Sequence, residues 1–161
     1  MTKPIKKIER QSLLLGQNGT KYDKLDDFKG SWTKVNSFIL GDYGRNIYDH
    51  GKRIGYALDV RFPGYRGLPV NLIRSLVFEV DGVVIPDECR YIRYEEREYA
   101  FNCIGTDKIE NTWYWKFGDY LRVFFKIDGG IQQGIHFVKF GLAMHDHYNT
   151  TAYCEKNVTI V

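Results

Sequence analysis

"IGYALDVRFPGYRGLPV", residues 54–70, reads as a strand that runs into a stiffened loop. From Ile54 to Phe62 the residues alternate and β-formers dominate, the pattern of a half-buried strand. Two prolines, two glycines, two arginines and a tyrosine then crowd into residues 61–70. Pro63 and Pro69 fix φ at their own positions and push the residues before them towards extended shapes, while Gly64 and Gly67 allow tight bends. Such a loop is ordered before anything docks against it. It carries Arg61, Tyr65 and Arg66, side chains of the kinds enriched at binding hot spots.

Outward from this stretch, short strand-like runs recur at Gln11–Leu15, Val35–Leu40, Leu76–Val80, Tyr91–Tyr94, Tyr99–Ile104, Tyr120–Ile127, Ile135–Met144 and Tyr153–Val161. "GQNGT" (16–20), "VDGV" (80–83) and "DGG" (128–130) are turn signals between them, and "VFEVDGVVI" reads as a hairpin with Asp81-Gly82 at its tip. No long window keeps apolar residues at helical spacing. The expected fold is therefore all-β, an antiparallel β-sandwich of jelly-roll type. "NLIRS", after Pro69, holds at most one helical turn or 3-10 piece. Residues 1–161 are expected to form one domain, with 1–34 as an N-terminal strand and covering arm. The Gly-, Asp-, Asn- and Lys-rich stretches 16–34 and 41–53 are expected to be loops or covering arms. Strand alternation assigns Leu58, Val60, Leu76, Phe78, Val80, Val123, Phe125, Phe137 and Leu142 to the core.

Composition narrows the function. Aromatics make up 16% of the 161 residues, with twelve tyrosines and ten phenylalanines, which favours strands. A formal charge of +3 is too small to argue for a nucleic-acid partner. The basic cluster Lys3, Lys6, Lys7, Arg10 and the acidic cluster Asp23, Asp26, Asp27 read as solvated patches. "MTKPIKKIER" has no apolar run behind it, and no stretch approaches the ~18 apolar residues of a membrane helix. Cys89, Cys103 and Cys154 form an odd set without CxxC spacing, so free thiols in a reducing cytoplasm are expected.

Three groups could carry chemistry. In "MHDHYN", residues 144–149, His145 and His147 would share one face of a strand, as metal ligands can, while Asp146 points away. No nearby third ligand completes the set, so a polar strand end with surface histidines is the simpler reading. In "NTWYWKFGD", residues 111–119, Trp113 and Trp115 share a face and could form a sugar-stacking platform. A sheet core or subunit contact wants large alternating side chains equally. Glu95 and Glu96, in "RYEEREY", resemble an exposed turn more than an acid/base pair. The serines lack any G-x-S-x-G context, and no glycine loop suited to a phosphate is present. No catalytic residue is assigned to this chain.

The opening loop belongs to a longer pattern. Arg61, Tyr65-Arg66-Gly67-Leu68-Pro69 and Leu72-Ile73 are followed by Val80-Asp81-Gly82. Trp115 with Phe117-Gly118-Asp119 comes next, and then Gly129, Gly130, Gly134 and His136. In order and spacing this resembles the small β subunit of bacterial C-glycoside deglycosidases over about residues 54–145. Gly64 stands where that family often has a second tyrosine, and "AMHDHYN" where it has a strand ending in Arg, Ser and Tyr. The resemblance implies a hetero-oligomer with a larger α subunit, a xylose-isomerase-like TIM barrel holding a divalent metal, usually manganese. It implies cleavage of the carbon–carbon bond between sugar and aglycone in 3-oxo-C-glucosides of plant polyphenols. Metal and base would lie in the α subunit, and Arg61, Tyr65, Arg66 and Pro69 at the subunit interface. The alternative is a stand-alone carbohydrate-binding module using Trp113 and Trp115.

Overall fold

The computed structural model describes residues 25, 40–61, 67–100, 114–116, 118–144 and 151–161. Eleven strands follow in chain order: β1 (Leu40–Asp49), β2 (Lys52–Arg61), β3 (Leu68–Pro69), β4 (Ile73–Val80), β5 (Val83–Val84), β6 (Arg90–Tyr94), β7 (Arg97–Ala100), β8 (Tyr114–Trp115), β9 (Tyr120–Phe125), β10 (Gly134–Met144) and β11 (Thr151–Ile160). Short 3-10 turns at Val70–Leu72 and Asp87–Cys89 interrupt them. The all-β expectation is met. Nine strands form one sheet in the order β5-β4-β10-β11-β1-β2-β9-β6-β7, and β3 pairs with β8 in a small separate ladder.

This one sheet curls until its parts face each other. β4 and β9 lie five strand steps apart in the ladder. Flat, they would be separated by about 24 Å at the usual strand spacing. Yet the rings of Phe78 on β4 and Phe125 on β9 meet edge to face at 5.1 Å between centroids. Phe140 lies 4.8 Å from Phe78, and Tyr56 lies 5.0 Å from Phe125. The enclosed core runs through Leu58, Val60, Leu76, Val80, Ile92, Leu121, Val123, Val138 and Leu142.

Three expectations change. Residues 41–53 are not loops: most of them form β1 and its tight turn into β2. Their strand character was hidden because two of the buried positions of β1 carry Gly44 and Asn46 rather than apolar side chains. Pairing on both sides, with β2 and β11, overrides the weak local preference. The sheet is also not wholly antiparallel, because β1 and β11 run parallel. Phe137 is not core but 39% exposed. It stands five residues from Leu142, an odd spacing that puts the two on opposite faces of β10.

The Asp81-Gly82 turn is as expected, with φ of 49° and 83°, and "NLIRS" begins with the 3-10 turn before entering β4. Leu25 packs on the outer face of the sheet with Val77, Ala143 and Tyr153. The remainder of the 1–34 arm, the strand expected at Gln11–Leu15, and residues 101–104 lie outside the described residues. Among the described residues no helix is long and apolar enough to cross a membrane.

Phe78→Ala is expected to lower stability in urea by about 3–5 kcal/mol, the range for deleting a buried ring. Phe137→Ala should stay within about 1 kcal/mol of the parent. Equal losses in the two variants would contradict the assigned faces of β4 and β10.

Candidate functional site

The proline–glycine loop is clamped where it returns to the sheet. Leu68 pairs with Trp115 and Pro69 with Tyr114. A Cβ on Gly67 would stand 2.2 Å from the Trp115 carbonyl oxygen, so only glycine lets the two chains close. The Tyr114 hydroxyl donates to the Gly67 carbonyl at 2.7 Å. Trp115 is 0% exposed. Its Nε1–H donates to the Asp119 carbonyl at 3.0 Å, and the Asp119 carboxylate accepts the Tyr94 hydroxyl at 2.9 Å. Burial, helped by that carboxylate, pushes the Tyr94 hydroxyl up to about 12. Gly67-Leu68-Pro69 and the stretch with Tyr114, Trp115 and Asp119 are thus two halves of one clamp. Pro69 sits half-buried within it. Tyr65 and Arg66 lie outside the described residues.

A second clamp joins the other two segments of the pattern. The buried Asn46 side chain donates to the Ile131 carbonyl at 2.7 Å and accepts the Ile131 amide at 2.8 Å. Gly130, at φ 59°, leaves room for it, since a Cβ there would meet Asn46 Oδ1 at 2.3 Å. His136 then ties this loop to the β4–β5 turn. Its Nδ1 lies 2.5 Å from Asp81 Oδ2 and its Nε2 2.6 Å from the Gln132 carbonyl. Both neighbours are acceptors, so the ring satisfies both only as the doubly protonated cation. Burial works against that charge, but the bonds to Asp81 and Gln132 outweigh it and raise His136 above its ordinary value. The His136 bond in turn holds Asp81 below the usual carboxylate range.

Arg61 ends β2 on the outer face. Its Nη2 donates to the Tyr120 hydroxyl at 2.9 Å, and its guanidinium carbon lies 4.7 Å from the Tyr120 ring centre. It meets no carboxylate among the described residues. Beside it, cross-strand pairing lines up Asp59, Arg122 and Arg93 on β2, β9 and β6. Arg122 grips Asp59 with two bonds of 3.0 and 3.3 Å, and Arg93 donates to Glu98 at 3.2 Å. Burial pushes the Asp59 carboxyl up, while the Arg45 charge pulls it down. Two hollows flank the Asp59–Arg122 pair. One, of about 370 Å³, is also bordered by Arg93, Tyr94, Glu95, Glu96 and Tyr120. The other, of about 170 Å³, is bordered by Tyr43, Arg45, Ala57 and Val161. Sequence reasoning missed this face. The signal was present in the positions of β2 and β9 that alternate with the core residues.

The remaining candidates fare differently. Trp115 is enclosed, so it cannot present an open stacking face, and Trp113 lies outside the described residues. So do His145, Asp146 and His147. Among the described residues no cluster of His, Cys, Asp or Glu is suited to hold a metal ion. Glu95 and Glu96 form the tip of the β6–β7 hairpin, both at positive φ. Cys89 and Cys154 are free, and burial pushes the Cys154 thiol up to about 11.

The His136 clamp makes stability depend on pH. A histidine raised on folding contributes fully below its unfolded value of about 6.5 and loses that contribution as pH climbs through the folded value. Asp81, lowered on folding, contributes above the ordinary carboxylate range and loses that as pH falls through its folded value. The gap in urea midpoint between the parent and His136→Gln should therefore be widest between about pH 4 and 6.5 and narrow at alkaline pH. A gap that is constant with pH would refute the charged ring.

Comparison with known families returns one described as the C-glycoside deglycosidase beta subunit, whose model matches residues 35–148. Comparison with curated proteins finds no match. The matched span takes in β1 to β10 and every described residue of both clamps. With more than half of its length matched, the chain belongs to the C-glycoside deglycosidase beta subunit family.

Proposed function

We propose that this chain is the non-catalytic β subunit of a carbon–carbon lyase complex. Its substrates are 3-oxo-C-glucosides of plant polyphenols, and its α subunit, a xylose-isomerase-like TIM barrel, carries the catalytic groups. The family match carries this reading. The described acidic and imidazole groups of the matched motifs support it, because they are engaged within the fold. Asp119 accepts from Tyr94, and Asp81 pairs with His136. A base needs an open lone pair within reach of a substrate proton.

The reaction follows from the 3-oxo group. A ketone at C3 acidifies the C2–H, a base takes that proton, and the electron pair expels the aglycone from C1. The departing aryl carbon is protonated by a general acid, so the products are an unsaturated 3-oxo sugar and the free polyphenol. A divalent metal, manganese by family resemblance, would polarise the ketone oxygen from the α subunit. This chain's part is to hold surfaces in place: the clamp at Gly67 and Trp115 fixes one end of the loop bearing Tyr65 and Arg66. Free thiols at Cys89 and Cys154 suit a reducing compartment, and the proposal places the complex in the cytoplasm. The carbohydrate-module alternative loses its main support with Trp115 enclosed.

Co-expression with the α subunit, gel filtration and assay on a 3-oxo-C-glucoside test the reading. Lyase activity is expected only with both subunits, and metal analysis should find the ion with the α subunit. A stoichiometric metal on the isolated β chain that is lost in His145→Ala would move the chemistry here. Tyr65→Ala and Arg66→Ala should each weaken association by at least about 2 kcal/mol, the hot-spot threshold, while the isolated chain melts as the parent does. Parent-like binding in both variants would retire the loop as a contact.

A further inference from the structure

We propose that the partner subunit docks on the outer face of β1, β2, β9 and β6, over the two hollows that flank the Asp59–Arg122 pair. This rests on the reading of the chain as one subunit of a heteromeric enzyme. The inner face of the sheet is filled by the chain's own core. The outer face around β4, β10 and β11 is covered at Val77, Ala143 and Tyr153 by Leu25, and only its far end on β10 exposes Ile135 and Phe137. The outer face of β1, β2, β9 and β6 is closed at Ala57 and Phe124, with Arg93 over the Phe124 ring, but beside them it presents Tyr43 68% and Tyr120 48% exposed.

The residues there are of the right kinds. Tyr43, Arg45, Arg61, Arg93, Tyr120 and Arg122 stand together, and tyrosine and arginine are the types that dominate interface energetics. Cross-strand pairing and the Arg61–Tyr120 and Arg122–Asp59 contacts hold several of them in place before binding. Side chains already ordered lose little freedom on association. The hollows give anchoring side chains of a partner somewhere to go.

The motif identifies the occupant. Trp115, Asp119, Asp81 and His136 of the pattern use their polar groups inside the fold. Arg61, from the same pattern, lies on this face and meets no carboxylate among the described residues. Every strand of the face also falls within the span shared with the beta-subunit family. A family defined as one subunit of an enzyme has the other subunit as its common partner. Charge describes that partner's surface further. Asp59 pairs with Arg122 and Glu98 is shared by Arg93 and Lys126, which leaves Arg45 and Arg61 on β1 and β2 and Glu95 and Glu96 at the tip of the β6–β7 hairpin. The α subunit should present carboxylates to the first pair and cations to the second.

The test uses the full chain with its α subunit. Tyr43→Ala, Tyr120→Ala and the double reversal Glu95→Lys with Glu96→Lys should each weaken association about thirtyfold or more. Val84→Glu, on the far edge strand, should bind as the parent does. Hydroxyl-radical footprinting should show Tyr43 and Tyr120 protected in the complex and not in the isolated chain, a readout independent of any variant's folding. If the complex forms while these residues keep their free-chain reactivity, the docking face is wrong and the subunit reading stands. If the parent chain forms no complex, the subunit reading fails and this inference with it. Protection of Tyr43 and Tyr120 in the isolated chain through self-association would also overturn the inference, by assigning the face to a second copy.

Discussion

The contact of Phe78 with Phe125 governs the rest of the structure. It joins two strands five steps apart in one hydrogen-bonded ladder and so requires the sheet to curl. In a continuous ladder the side-chain period is two, so an inward direction fixed at Phe78 and Phe125 propagates along every paired strand. Val138, Phe140 and Leu142 follow on β10, Tyr56, Leu58 and Val60 on β2, and Leu121 and Val123 on β9. The same parity sends Asp59, Arg61, Tyr120, Arg122 and Arg93 outward. The outer face is the complement of the core around that aromatic contact.

On this frame the segments shared with the family act as fasteners. Gly67 admits the Trp115 backbone, and Gly130 admits Asn46. His136 bridges Asp81 and the Gln132 carbonyl. Each hydrogen bond contributes only about 1 kcal/mol net. Their effect lies more in geometry, because they turn glycine-rich connections into fixed shapes that can present side chains without further ordering. The proposed docking role calls for that rigidity more than for titrating groups.

Much of this was legible in the residues, for physical reasons. The run 54–61 announces its strand because its two faces have distinct chemistry, whereas in 135–144 Ile135 and Phe137 are apolar on the outer face, so the strand is legible and its faces are not. Asp81-Gly82 announces its turn because few residues tolerate its backbone. β1 was hidden, since Gly44 and Asn46 occupy buried positions that an apolar side chain would normally mark. The curl was hidden too, because no local pattern records which distant strands will touch. Trp115 illustrates the limit at the site. Its alternation with Trp113 fitted a platform and a core equally, and the complete burial of Trp115 decides for the core.

The Asp59–Arg122 pair bears on how a partner can cover this face. Burying a lone charge is costly, whereas a carboxylate gripped by two guanidinium bonds keeps its partner when water leaves. Burial already pushes the Asp59 carboxyl up, so part of the desolvation is borne by the isolated chain. Covering the pair therefore strands no charge. Glu95 and Glu96 differ, because they stand exposed on a hairpin tip with no ion pair among the described residues, and both have positive φ. Any partner that dehydrates them must bring cations to those positions. The tyrosines can supply affinity to many surfaces. The fixed carboxylates favour a surface with the matching charges, which in the proposed complex gives this face its selectivity.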